Sequence, residues 1–294
     1  MMKPWPSLVP FGKTLPLSGG ELFYYDNNAA DKPAIVLLHG LGDEADTWRH
    51  IFPLLSDAGY RVIAPDLPGF GRSNWKGRIS VRGHCNAVIH LLTVTGAASA
   101  NQPAALAGSS LGAGIAEMTA CRRPDLVKSL ILIDGCLPFA RRDKGFFLLG
   151  MPFIGTSWYR SFRSNHEAAW KSLYPYYGDL DGMSAADKDF LRERVIDRVE
   201  SSNQERGYFA TLRSMNTFPF FGERNLVRKI KTFSGKIAIL WGEKDNVFPP
   251  KKAAIFRKLR PEADFTFING AGHLPHQEKP DATASEIIRF LKEE

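Results

Sequence analysis

The apolar positions of the chain fall into short runs, several of which show no alternation with polar residues. The runs AIVLL, LILI and IAIL are apolar throughout, a pattern typical of strands that are covered on both faces in a parallel sheet. The pattern predicts seven strands, which are Leu22–Tyr25, Ala34–Leu38, Arg61–Pro65, Ala104–Ala107, Ser129–Ile133, Lys236–Trp241 and Asp264–Ile268.

Stretches with helical character lie between these runs. They predict helices at Thr47–Ala58, Ser80–Thr95, Leu111–Arg122, Pro250–Leu259 and Asp281–Lys292. Asp46, Ser80 and Asp281 are the predicted N-caps, because a short polar side chain can accept hydrogen bonds from the free amides of a first helical turn. Strands that alternate with helices indicate βαβ units and an α/β fold.

One segment, residues 139–233, interrupts the alternation and contains no clear strand. It carries 18 of the 34 aromatic residues of the chain. We therefore predict a core domain formed by residues 1–138 and 234–294, with residues 139–233 inserted as a helical cap. The aromatic residues suit a lid over a pocket or the core of a small helical subdomain, and both roles can hold together.

Composition and charge narrow the class of protein. The 294 residues are 44% hydrophobic and 23% charged, which excludes a disordered chain, a collagen-like repeat and a coiled coil. Residues 139–233 hold 16 Lys/Arg against 11 Asp/Glu, so most of the net charge of +7 lies there. No run of five basic residues and no nucleic-acid motif accompanies this charge, and we expect a mildly basic surface patch and no nucleic-acid partner.

The cysteines and the N-terminal residues indicate the cellular compartment of the protein. Three cysteines, Cys85, Cys121 and Cys136, form no close pair, which argues against a disulfide framework and favours a reducing compartment. The first 20 residues include four prolines and no apolar core of a signal peptide. No run of 18 apolar residues occurs, so we expect a cytoplasmic protein without stable membrane insertion.

The most specific motif is AALAGSSLGAGIA, in which residues 108–112 match G-x-S-x-G. It follows a predicted strand and opens a predicted helix, the context that this motif requires. A tight strand-to-helix turn exposes the central serine, Ser110, at the positive end of a helix dipole. Ser109 occupies the x position, and we assign it a supporting role.

A serine hydroxyl needs an adjacent base that is oriented by a third group. His273 follows the last predicted strand and is the candidate base. Asp245 lies just past the preceding strand and is the candidate acid. Asp134, at the end of LILID, is an alternative acid.

These pieces together resemble the α/β-hydrolase superfamily, in particular its compact serine esterases with a helical cap. The matching stretches run from about residue 35 to the C-terminus, and they are VLLHGLGDEADTW, APDLPGFGRS, AGSSLGAG, ILWGEKDNVFPP and GAGHLPHQEKPD. The order Ser110, Asp245, His273 is that of the family's catalytic triad. The resemblance implies an eight-stranded, mostly parallel sheet with helices on both faces, and a cap inserted in its second half.

The resemblance also implies an oxyanion hole and limits the other candidate sites. Leu41, in the HG-x segment after His39, and Leu111 would supply its two backbone N–H groups. We interpret His39 and Asp66 as structural. His276 lacks the partners of a metal ligand, and no H-E-x-x-H, G-x-x-x-x-G-K or G-x-G-x-x-G motif is present. We therefore expect no metal and no nucleotide cofactor.

The predicted activity is hydrolysis of a small-molecule carboxylic ester through an acyl-enzyme intermediate. The apolar stretch 146–155, with Phe139, Trp158, Tyr159 and Trp170 nearby in sequence, favours a hydrophobic pocket for short to medium acyl chains. The stretch itself could line that pocket, form an exposed lid edge that meets lipid, or be a buried lid helix.

Two other classes of function remain open. A C–C bond hydrolase of aromatic catabolism shares scaffold and triad, but such enzymes commonly carry Asn and Trp where this chain has Ser109 and Leu274. A ligand receptor could also use this fold without catalysis, and a perhydrolase or lactonase could use the same residues. The sequence leaves the oligomeric state open.

Overall fold

The computed structural model describes residues 2–135, 144–221 and 223–293. Cys136, Phe139 and the predicted domain boundary at residues 138/139 lie outside the described residues. The strands are β1 (Gly12–Leu17), β2 (Gly20–Asp26), β3 (Ala34–Leu38), β4 (Arg61–Pro65), β5 (Ala104–Ser109), β6 (Val127–Ile133), β7 (Lys236–Gly242) and β8 (Asp264–Ile268).

The helices before β7 are α1 (Ile51–Asp57), α2 (Val81–Val94), α3 (Leu111–Arg122), α4 (Lys144–Gly150), α5 (Ile154–Ser161), α6 (His166–Lys171), α7 (Ala185–Glu200), α8 (Ser202–Phe221) and α9 (Glu223–Ile230). Those after it are α10 (Ala254–Leu259), α11 (Pro275–Glu278) and α12 (Pro280–Lys292). Every described element between β6 and β7 is helical.

The eight strands form one sheet in the order β1-β2-β4-β3-β5-β6-β7-β8. β2 pairs antiparallel with β1 and β4, and the remaining pairs are parallel. One face of the sheet packs on α2 and α3, and the other on α1 and α12. The central strands are therefore buried on both faces, which explains their unbroken apolar runs. The predicted α/β class and the eight-stranded sheet are confirmed.

The pattern missed strand β1. Its residues alternate between exposed and half-buried positions, and it lies at the edge of the sheet. It carries only two apolar residues besides Pro16, so it presents no apolar run. The seven-strand prediction was wrong by this one edge strand.

Two of the three predicted N-caps were also wrong. Ser80 caps α2, since its Oγ accepts from the Gly83 N–H at 3.1 Å. Asp46 instead accepts from the Trp5 N–H at 2.6 Å, and α1 begins only at Ile51 because Ala45–Trp48 form a 3₁₀ turn. α12 begins at Pro280, which places Asp281 inside its first turn.

The helices between β6 and β7 build small cores of their own. One contains Tyr159, Phe162, Phe209 and Leu212, and Leu41 from the loop after β3 packs against it. Several aromatic residues of this segment therefore pack in cores of its own. Among the described residues, no helix combines the length and the apolar character that crossing a bilayer requires.

Candidate active site

Ser110 occupies the turn between β5 and α3. Its backbone has φ 53° and ψ −113°, a conformation that costs a non-glycine residue about 1–3 kcal/mol. The Ser110 N–H donates to the Ile133 carbonyl at 2.8 Å. A Cβ at Gly108 would collide with the Gly112 backbone, and a Cβ at Gly112 would collide with the Leu38 carbonyl. The flanking glycines are thus required by close approach, as the motif predicts.

His273 and Asp245 are joined by a hydrogen bond. The His273 Nδ1 lies 2.8 Å from the Asp245 Oδ2, and both side chains are buried. The Asp245 Oδ1 accepts from the N–H groups of Val247 and Phe248 at 2.7 and 2.8 Å. Both carboxylate oxygens are therefore used, one to fix the loop after β7 and one to orient the imidazole.

Asp134, the alternative acid, lies beside this pair. Its Oδ1 accepts from the Gly242 N–H at 2.8 Å, and its buried Oδ2 has no hydrogen-bond partner among the described residues. Asp134, Asp245 and His273 each bring an oxygen or nitrogen within 4.8 Å of the others. Burial, and then the Asp245 charge, hold the pKa of Asp134 well above its usual range. The two neighbouring carboxyl groups therefore differ in their hydrogen bonds, and only Asp245 bonds the imidazole.

A cavity of about 180 Å³ opens onto the candidate nucleophile and base. Ser110, His273 and Leu41 line it, and Asp245 lies behind His273. Most of the remaining wall is aromatic or aliphatic and comes from the helices between β6 and β7 and the loop after β7; it includes Trp158, Tyr159, Phe162, Tyr176, Tyr177, Tyr208, Met215 and Phe248. Leu111 starts α3 directly after Ser110.

Part of this wall was predicted from the sequence. Trp158 and Tyr159 line the cavity, but Trp170 packs in a separate helical core. Tyr208 and Phe248 were missed, since an isolated aromatic residue gives no positional signal in the sequence.

The cavity wall carries one charged pair that the sequence did not reveal. Arg198, on α7, is the one Lys or Arg among the described lining residues. Its guanidinium contacts both Glu44 oxygens at 2.8 and 2.9 Å and also pairs with Asp43. Burial alone would raise the pKa of Asp43, but the Arg198 charge outweighs it and holds that pKa below its usual value. Arg198 is thus paired with acidic groups of the protein itself.

Three other side chains have structural contacts. The His39 Nδ1–H donates to the Gly40 carbonyl at 2.8 Å, and its Nε2 accepts from the Leu67 N–H at 2.9 Å. Asp66 accepts from the Ala45 N–H at 2.7 Å and pairs with Arg72. His276 contacts the Thr47 Oγ1 at 2.9 Å. His39 and Asp66 therefore hold the loops around the cavity, in agreement with their structural interpretation.

Comparisons with known proteins identify the family of the chain. A family model described as alpha/beta hydrolase fold matches residues 33–280. Lipase 1 of Psychrobacter immobilis is 26% identical over 282 residues, which cover 95% of this chain and 83% of that protein. A thermophilic esterase from Thermogutta terrifontis superposes with a TM-score of 0.75 at 20% identity, covering 96% of this chain and 98% of that one.

One structural neighbour has a different activity in its name. It is the 2-hydroxy-6-oxo-6-phenylhexa-2,4-dienoate hydrolase of Rhodococcus sp. strain RHA1, with a TM-score of 0.77 at 18% identity. The match covers 96% of this chain and 98% of that one. At this identity the likeness concerns the fold.

Proposed function

We propose that this chain, which belongs to the α/β-hydrolase family, is a carboxylesterase-type serine hydrolase with Ser110 as its nucleophile. The observation that carries the proposal is the 2.8 Å contact between His273 and Asp245, in a cavity that Ser110 also lines. The name of a similar protein, a lipase, supports hydrolysis of esters as the reaction class.

The mechanism assigns one role to each residue. Ser110 Oγ attacks the acyl carbon while His273 Nε2 takes its proton, and Asp245 holds the His273 tautomer and stabilises the imidazolium. The Leu41 and Leu111 N–H groups receive the oxyanion, and losing one such donor typically costs about 3–4 kcal/mol of barrier. His273 then protonates the leaving alcohol, and water, activated by the same histidine, hydrolyses the acyl-enzyme.

The helices between β6 and β7 are assigned the role of a cap over this site. The His273 N–H donates to the Tyr176 carbonyl at 2.8 Å, so the catalytic loop is bonded directly to the helical segment. Trp158 and Phe162 supply cavity wall from the same segment. These contacts support the division into a core of residues 1–138 and 234–294 and a cap of residues 139–233.

The cavity favours an uncharged acyl group of short to medium length. Its volume of about 180 Å³ is below the roughly 300–1,000 Å³ of sites for drug-sized ligands. Its wall is mostly aromatic and aliphatic, which suits burial of methylene groups. A dienoate substrate of the C–C hydrolase kind carries a carboxylate that must be paired when it is desolvated. Arg198 is already paired with Glu44 and Asp43, so the cavity disfavours that anion.

The test is hydrolysis of p-nitrophenyl esters from acetate to palmitate, with a chelator present. We expect turnover that peaks at short or medium chains and falls by about six orders of magnitude in Ser110→Ala. Ser109→Ala is the matched control, since the buried Ser109 Oγ has no hydrogen-bond partner among the described residues. It should keep most of the activity.

Two outcomes would contradict the proposal. One is ester turnover that survives in Ser110→Ala. The other is a folded wild-type protein that cleaves a vinylogous diketone and no ester, which would select the C–C hydrolase.

A further inference from the structure

Large apolar side chains are exposed together at one corner of the molecule, where α4 leads into α5. Ten large apolar residues are markedly exposed in the described parts of the chain, and six of them fall within twelve consecutive positions. We call this group the apolar corner; it consists of Phe147, Leu148, Met151, Phe153, Ile154 and Trp158. Single exposed apolar residues are ordinary, but a contiguous group marks an interaction site.

The geometry of the two helices directs these side chains outward together. Ile154 and Trp158 are four residues apart in α5 and so share one face of it. Met151 directly follows α4, and its N–H donates to the Leu148 carbonyl at 3.0 Å. Phe153 lies between the helices with φ 70° and is 84% exposed. A bulky residue in that conformation is strained, and burial within the monomer does not compensate it.

The apolar corner is continuous with the wall of the proposed active site. Trp158 is 48% exposed, yet it also lines the cavity beside Ser110 and His273. Its ring packs edge-to-face on Phe162 at 4.7 Å, and Phe162 lines the same cavity. A partner that covers the apolar corner would therefore also cover the protein surface next to the cavity.

The charge of this stretch indicates the chemistry of the partner. In sequence, residues 141–163 contain five Lys or Arg and one acid, of which residues 141–143 lie outside the described residues. Arg160 and Arg163 share a single acid, Glu205, so these three residues keep a net positive charge, and the Arg160 side chain is 60% exposed. Apolar and aromatic residues flanked by cations are typical of segments that rest in the headgroup region of anionic membranes.

We propose that the apolar corner docks the protein onto an anionic phospholipid bilayer, with Phe147, Phe153 and Trp158 entering the boundary between headgroups and acyl chains. The docking is peripheral. Binding itself does not require the proposed function. The inference rests on that function only where it assigns the docking a role, which is to bring the cavity to ester substrates in the lipid.

The experiment measures binding of the Ser110→Ala protein to vesicles by flotation, so that no catalysis is required. The vesicles are pure phosphatidylcholine, or phosphatidylcholine with phosphatidylglycerol. We expect binding to the anionic vesicles that weakens as salt is raised. Phe147→Ser with Phe153→Ser should weaken it at least about tenfold, because two aromatic side chains no longer leave water. Brominated lipid should quench a fluorescence component that disappears in Trp158→Phe.

The matched control changes two equally exposed residues far from the corner in sequence. Val9 and Val94 are 56% and 55% exposed, and Val9→Ser with Val94→Ser should leave vesicle binding unchanged. Circular dichroism confirms that each variant is folded.

Three results would overturn the proposal: no binding of the folded protein to either vesicle, equal binding of the Phe147/Phe153 variant, or equal loss in the valine control. A dimer in sedimentation that the Phe147/Phe153 variant abolishes would assign the corner to a second copy of the chain instead. Hydrolysis of short, water-soluble esters is measured separately and does not depend on any of these results.

Discussion

At the scale of single residues, two carboxyl groups of the site, those of Asp245 and Asp134, differ in their surroundings. Asp245 accepts from two backbone N–H groups and contacts the His273 ring, whereas Asp134 accepts, within the described part of the chain, only from the Gly242 N–H. Burial and the Asp245 charge raise the pKa of Asp134. Asp245 contacts the imidazole directly and is placed to orient it, whereas the hydrogen bond of the Asp134 carboxyl goes to the Gly242 N–H.

This difference predicts the effects of two matched substitutions. Asp245→Asn should lower kcat on a p-nitrophenyl ester by on the order of 10⁴-fold, because the imidazole loses its orienting anion. Asp134→Asn should change kcat by less than about tenfold, since the amide oxygen can still accept from the Gly242 N–H. Steady-state kinetics of both variants against wild type provides the measurement. A nearly active Asp245→Asn beside an inactive Asp134→Asn would move the acid to position 134.

Sequence motifs located the candidate catalytic residues but not their charged neighbours. Ser110, Asp245 and His273 each follow a strand and lie near glycines, which makes their positions recognisable. Arg198 occurs in a helix with charges along its length, and nothing in that pattern distinguishes it. Its pairing with Asp43 joins positions 155 apart in sequence, so it becomes visible only in the folded chain.

At the scale of elements, α7 is held to the loops between β3 and α1 by buried charges. Arg194 pairs with Glu44 at 3.2 Å, and Arg49 pairs with Asp187, near the start of α7, at 2.7 Å. The Arg49 side chain is fully buried. Removing one partner of such a pair leaves a buried charge uncompensated. These contacts fix α7, and therefore the cavity wall that it supplies.

Asp187→Asn tests this attachment and has a defined pH dependence. Burial would raise the pKa of Asp187, but the His50 hydrogen bond and the Arg49 charge hold it well below its usual value. An acid whose folded pKa is depressed contributes stability above its unfolded pKa of about 3.9, and that stability is lost as pH falls toward the folded pKa. The substitution should lower the free energy of unfolding by about 3 kcal/mol at neutral pH, and the difference from wild type should shrink below about pH 4.

Urea unfolding of both proteins at neutral and acidic pH measures this difference. Glu167→Gln is the control, because Glu167 forms an exposed pair with Lys171 and should contribute less than about 0.5 kcal/mol. A difference for Asp187→Asn that stays constant down to about pH 3 would contradict the assigned role of its charge.

The predicted apolar runs located the central strands. Strands β3, β4 and β8 start and end at the predicted residues, and the buried strand β5 extends two residues beyond its prediction. Strand β1 lacked that signal at the sheet edge. Helix α1 starts four residues late because its expected first turn is used to place Asp46 against Trp5 and Arg72.

At the scale of the whole molecule, the fold class and the family could be predicted, and the surface could not. Apolar runs and five motifs spread over the chain sufficed for the α/β-hydrolase assignment. Exposure of the apolar stretch 146–155 depends on how α4 and α5 pack, and the sequence left three alternatives open. The structure exposes Phe147 and Phe153 and so favours the lid edge over a buried helix.

The most direct test of the central claim is covalent labelling with an alkyl fluorophosphonate, followed by mass spectrometry of the digested protein. An activated serine attacks this reagent, and an unactivated one does not. The account predicts a single adduct on Ser110, no labelling in Ser110→Ala or His273→Ala, and full labelling in Ser109→Ala. A folded protein that takes up no label, or an adduct at any residue other than Ser110, would contradict it.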